Sequence, residues 1–71
     1  MMEEYKESLI KEYNELSERI TKLDNTLKKY KNGELPFDPN CPYKLLYTQL
    51  LYMINYRRVL ERRAEIGNIK L

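Results

Sequence analysis

The sequence predicts an all-α protein: an antiparallel two-helix hairpin, coiled-coil-like, that assembles into a homo-oligomeric bundle. Three observations carry this expectation. Apolar residues recur at alternating spacings of three and four in Leu9, Tyr13, Leu16, Ile20, Leu23, Leu27 and Tyr30, the period of one helical stripe. A second stretch, from Tyr43 to Ile66, is apolar around most of its circumference over its first half. The chain has only 71 residues, and a core of that size rarely supplies more than about 3–5 kcal/mol by itself. Surplus apolar surface on so small a chain calls for further copies.

The residues divide into one domain over 1–71: a helix over 3–31, a proline-rich loop over 32–41, a helix over 42–66 and a short tail over 67–71. Nothing between Glu3 and Lys31 breaks a helix, and Asn32-Gly33 supplies a left-handed stop. Glu3, Glu4 and Glu7 stand in the first turns and Lys28, Lys29 and Lys31 in the last, where each sign suits the helix dipole. Glu7 lies four residues before Lys11, Glu15 before Arg19, and Glu18 before Lys22. That spacing allows ion pairs along a solvated face.

Pro36, Pro39 and Pro42 hold the connection extended or turned. Leu35 and Phe37 are apolar enough to fold back over this end of the hairpin, and Asp38, Asn40 or Cys41 is placed to cap the next helix. Pro42 suits the first helical turn, where its missing N–H is not needed.

On the second helix, Leu46, Leu50, Met53, Leu60 and Ala64 form the row expected to pack on the first. Tyr47, Leu51 and Ile54 make a second row, and Leu45, Tyr52, Tyr56 and Val59 a third. One hairpin partner covers one row. The remainder exceeds the apolar patch that soluble monomers usually expose, which points to self-association. Gly67 is expected to let the helix fray after Ile66.

Composition excludes several chemistries. There is no histidine and a single cysteine, Cys41, so neither an internal disulfide nor a common zinc site can be assembled. No cofactor and no enzymatic activity are expected, since nothing pairs a nucleophile with a base or sets two carboxylates in a pocket. The opening Met1-Met2-Glu3-Glu4 is the opposite of a secretory leader, and a cytoplasmic location, in a bacterial host, is expected. The densest apolar stretch, Tyr43 to Tyr56, falls short of the roughly 20 residues that cross a bilayer, so no membrane partner is expected. Two long helices joined by a proline-stiffened loop also argue against a helix-turn-helix reader of specific DNA.

Charge is uneven along the chain. Residues 1–40 carry seven Lys/Arg against nine Asp/Glu, and residues 41–71 carry six against two. Arg57, Arg58, Arg62 and Arg63 dominate the basic half, and guanidinium forks bind phosphates bidentately. Tyr52 and Tyr56 precede them within about three turns on the same helix, where a ring can stack on a base. These six residues are the candidate ligand site, suited to a nucleotide-type molecule. The competing use of the arginines is to complement the helix dipole and pair with Glu61 and Glu65.

The run Glu12-Tyr13-Asn14-Glu15-Leu16-Ser17-Glu18-Arg19-Ile20-Thr21-Lys22-Leu23, followed after the loop by Leu46-Tyr47-Thr48-Gln49-Leu50-Leu51-Tyr52-Met53-Ile54-Asn55-Tyr56 and Leu60-Glu61-Arg62-Arg63, resembles a family of small phage proteins first noted in crAss-like phages. The resemblance implies a phage or prophage origin and transfers no catalytic residue. In architecture, though not in motif, the chain is similar to the phage anti-CBASS and anti-Thoeris sponges, oligomeric helical hairpins that sequester cyclic nucleotide immune signals between subunits. The helical-hairpin aspartyl phosphatases of sporulation control carry Ser-Gln-Glu-Leu-Asp in their second helix. Here that stretch reads Thr48-Gln49-Leu50-Leu51-Tyr52, without either acid.

The resulting expectation is a phage counter-defence protein that binds stoichiometrically and sequesters a nucleotide-type signal, a cyclic oligonucleotide or a cyclic ADP-ribose-like molecule, between subunits. A protein-binding inhibitor or adaptor of a host defence protein, and a structural phage component, are the alternatives.

Overall fold

A computed structural model describes residues 2–35 and 40–71. Within them, helix α1 runs over Met2–Lys31 and helix α2 over Tyr43–Ile66, and the two pack side by side as a hairpin. The principal extents are 46 × 18 × 16 Å, a rod as long as α1 itself, since a 30-residue helix rising about 1.5 Å per residue spans about 45 Å. No strand occurs among the described residues.

Both helices stop by the same backbone device. After α1, the Gly33 N–H donates to the Tyr30 carbonyl and the Glu34 N–H to the Lys29 carbonyl, with Gly33 at φ 71°. That is a Schellman closure with glycine at its left-handed position. After α2, the Asn68 N–H donates to the Glu65 carbonyl and the Ile69 N–H to the Ala64 carbonyl. Here the left-handed residue is Asn68 at φ 55°, and Gly67 keeps φ −87°. The expected fraying at Gly67 is therefore corrected: the turn closes, and Ile69 packs back against the core. Asparagine tolerates the left-handed region, and the apolar contact after the cap holds it there.

The start of α2 also differs from expectation. Pro42 occupies the cap position in an extended conformation, φ −61° and ψ 141°, with no side-chain cap hydrogen bond. Its carbonyl accepts from the Leu45 and Leu46 N–H groups. Neither Asn40 nor Cys41 takes the cap position, and Phe37 and Asp38 lie outside the described residues.

The core is one row from each helix. Leu9, Leu16, Ile20 and Leu27 of α1 meet Leu50, Leu60 and Ala64 of α2, with Tyr13, Leu23, Tyr43, Leu46, Met53, Ile54 and Ile69 packed around them. This is the expected α2 row, with Leu60 fully enclosed and Leu9 nearly so. Polar edges reinforce it. The Tyr13 hydroxyl donates to a Glu61 carboxylate oxygen at 3.0 Å, and the Tyr30 hydroxyl to the Cys41 carbonyl at 3.0 Å. Thr21, Thr26 and Thr48 each turn their hydroxyls back onto a carbonyl four residues earlier, which satisfies them within the helix.

The three glutamate-to-cation pairs expected on α1 are not formed. Among the described residues, the ion pairs are Lys28–Asp24 at 3.1 Å and Arg62–Glu65 at 3.0 Å. Exposed pairs gain little over hydration and leave long side chains free to stay solvated.

Candidate functional site

The residues of the candidate site all come from α2, and helical geometry divides them. Successive residues turn by about 100°, so Tyr52, Tyr56 and Arg63 fall on one face of α2, Arg58 and Arg62 on another, and Arg57 beside the row that packs on α1. The four arginines do not converge within one chain. Arg57 is half-buried, and the other three are exposed.

Two arginines already have partners. Arg62 is held by Glu65, three residues on, at 3.0 Å. Arg63 reaches across to α1, donating from Nε and one terminal nitrogen to the Tyr5 hydroxyl at 3.3 and 3.1 Å, with its guanidinium carbon 5.5 Å from the Tyr5 ring centre. Tyr5 thus orients Arg63 through a hydrogen-bonded and cation–π contact. Tyr5 is not among the candidate site residues; its bearing on Arg63 depends on the antiparallel pairing of the helices. Arg58 stands exposed with neither kind of contact described.

Tyr52 and Tyr56 border an open groove of about 630 Å³ that is lined by Leu45, Thr48, Gln49, Tyr52, Met53 and Tyr56. Its walls are mainly apolar with a few amide and hydroxyl groups, the balance typical of small-molecule sites. Tyr52 is the most exposed of these rings, at 72 %, against 44 % for Tyr56. Leu45, Thr48, Gln49 and Met53 were not among the candidate site residues. The third apolar row was the signal for Leu45; Met53 was assigned to the row that faces α1, and Thr48 and Gln49, being polar, belonged to no row.

A second aromatic group lies at the loop end. Tyr30 meets Tyr43 edge-on at 5.5 Å, and Tyr43 stacks on Tyr47 at 6.2 Å with 15° between the rings. At the opposite end, Lys6, Ala64, Glu65, Asn68, Ile69 and Lys70 border a smaller concavity of about 540 Å³. Among the described residues, no group of three or more His, Cys, Asp or Glu side chains is placed to hold a metal ion. No helix is long and apolar enough, among those residues, to cross a membrane.

The hairpin and its α2 faces are the part of the chain that relatedness covers: the family model for Sequestin matches residues 3–66. The chain belongs to the Sequestin family. The Sequestin match takes in α1 and α2 from Glu3 to Ile66, and hence both the groove and all six candidate residues. No curated protein and no solved structure matches the chain. What this Sequestin hairpin offers chemically is therefore read from its surface: two tyrosine rings on a mainly apolar groove of α2, and farther along the same face a guanidinium oriented by Tyr5.

Proposed function

We propose that this protein is a phage counter-defence factor that sequesters a nucleotide-type immune signal, a cyclic oligonucleotide or a cyclic ADP-ribose-like molecule, by stoichiometric binding between subunits of a homo-oligomer. The observation that carries the reading is one face of α2 on which Tyr52 and Tyr56 border the groove and Arg63, oriented by Tyr5, stands about two turns beyond them. Rings supply a stacking surface that any base accepts, and a guanidinium supplies the fork that a phosphate requires. Membership in a family whose name denotes sequestration supports binding without turnover. Arg58 and Arg62 add positive charge on the neighbouring face of α2.

Isothermal titration of the purified protein against cyclic dinucleotides, cyclic trinucleotides and cyclic ADP-ribose isomers tests it. A saturable heat at a fixed ratio of ligand to subunits, weakened at least tenfold by Arg63→Ala, is the expected result. No heat from any of the three classes removes the reading.

The exposed row of Tyr47 and Leu51, 45 % and 44 % exposed, supports a second reading, an inhibitor that docks on a host defence protein. It predicts that a pull-down from host cells retains one protein and that Leu51→Glu releases it.

A further inference from the structure

Exposed apolar side chains recur on α2 at a strict seven-residue interval. Leu45, Tyr52, Val59 and Ile66 are 60, 72, 55 and 72 % exposed. Gln49, Tyr56 and Arg63 fall between them, so that the whole line from 45 to 66 alternates steps of four and three. This is the narrow period of a coiled-coil seam, distinct from the broader stripe by which a helix rests on a globular core. On a straight helix a seven-residue repeat drifts by about 20° per heptad, so it stays in contact only with another helix that winds around it.

The position of the seam says which helix that is. It lies roughly 100° around α2 from the line of Leu50, Leu60 and Ala64 that packs on α1. The two lines face different directions, so the helix that meets the seam is not the α1 of the same chain. Helix α1 has no matching second stripe: its one large apolar side chain among the exposed described residues is Tyr5, which is engaged with Arg63. The second neighbour is therefore another α2.

We infer that a second copy of this chain docks along this seam, α2 against α2, in antiparallel orientation about a two-fold axis near Tyr56. Charge selects the orientation. Arg57, Arg58, Arg62 and Arg63 crowd the C-terminal half of α2, whereas Lys44 is the one cation between Tyr43 and Tyr56. Parallel pairing sets arginine-rich half on arginine-rich half; antiparallel pairing sets it on the half whose single charge is Lys44, and opposes the helix dipoles. Antiparallel pairing also closes the groove of Leu45, Gln49 and Tyr52 with the C-terminal half of the second helix, bringing Arg63 of the second copy toward it. This deepens the sequestration reading and rests on it for the purpose of the interface, but the pairing is measured with no ligand present.

The experiment places one spin label on α2. In a Cys41→Ser, Lys44→Cys background, the label at 44 lies 12 residues from Tyr56. The antiparallel pair then separates the two labels by about 35 Å at a rise of about 1.5 Å per residue. A distance below about 20 Å means parallel pairing and overturns the orientation; no dipolar signal, with sedimentation at the mass of one chain, overturns the interface. Tyr52→Glu with Val59→Glu, both at exposed positions, is expected to halve the sedimenting mass while circular dichroism stays helical. Leu51→Glu, off the seam, is expected to leave the pair intact. If Leu51→Glu splits the pair and the seam variant does not, the seam is refuted. A pair that forms but gives no heat with cyclic nucleotides retains the interface and removes the ligand, whereas heat from a monomer does the reverse.

Discussion

Single residues differ sharply in what they hold. Leu60 is wholly enclosed between the helices, so Leu60→Ala leaves a cavity there and is expected to cost about 2–5 kcal/mol, read from the midpoint of urea unfolding. Val59, its neighbour in sequence, is 55 % exposed and adds little to the isolated hairpin. Gly33 stands at φ 71° with nothing within 4 Å of a Cβ placed on it. Gly33→Ala therefore costs about 1 kcal/mol from backbone strain alone. Asn68, at φ 55°, is the complementary case. Asn68→Gly is expected to match or exceed wild-type stability in the same unfolding assay, because glycine enters the left-handed region without penalty, whereas Asn68→Val destabilises.

At the scale of the elements, α1 is a scaffold and α2 a two-sided helix. The spacing of Leu9, Leu16, Ile20 and Leu27 was enough to identify the buried stripe of α1, because an amphipathic helix with one stripe has one way to bury it. Its polar face behaves differently. Glu15 and Glu18 form no ion pair with Arg19 and Lys22 among the described residues, so Glu15→Gln with Glu18→Gln is expected to move stability by no more than about 0.5 kcal/mol, checked by thermal melting. On α2 the row of Leu50, Leu60 and Ala64 was equally legible. The site was less so: the arginines at 57, 58, 62 and 63 are adjacent in sequence, yet consecutive residues diverge by about 100° around a helix. Arg63 alone joins the face of Tyr52 and Tyr56. The cap of α2 was misjudged for a local reason, since Pro42 takes the cap position itself and needs no side chain to supply the extended geometry.

For the whole molecule, length limits stability. Two helices share one row of contact, and half-exposed tyrosines and leucines remain on α2. A chain whose folded form is completed by copies of itself has a melting temperature that rises with protein concentration. A steady rise over a hundredfold dilution series is expected, and a melting temperature independent of concentration would mean that the hairpin stands alone. A nucleotide bound as proposed would act through the same linkage. At a free concentration of 100 times its dissociation constant it is expected to add about 2.7 kcal/mol, read as a further upward shift in melting temperature.

The sequence alone determined the all-α class, the positions of the two helices, the break between them and the row by which each meets the other. Those properties follow from local propensity and from the period of apolar residues, which a linear string records completely. It also marked α2 as carrying more apolar surface than α1 can cover. The tertiary structure decided how that surplus is arranged. The row of Leu45, Tyr52, Tyr56 and Val59 was visible in the sequence; the contact of α2 with α1 leaves it exposed and continuous with Ile66, with Arg63 steered by Tyr5 from the other helix. Contacts between residues 58 positions apart arise from the antiparallel packing, and no periodicity within either helix encodes them.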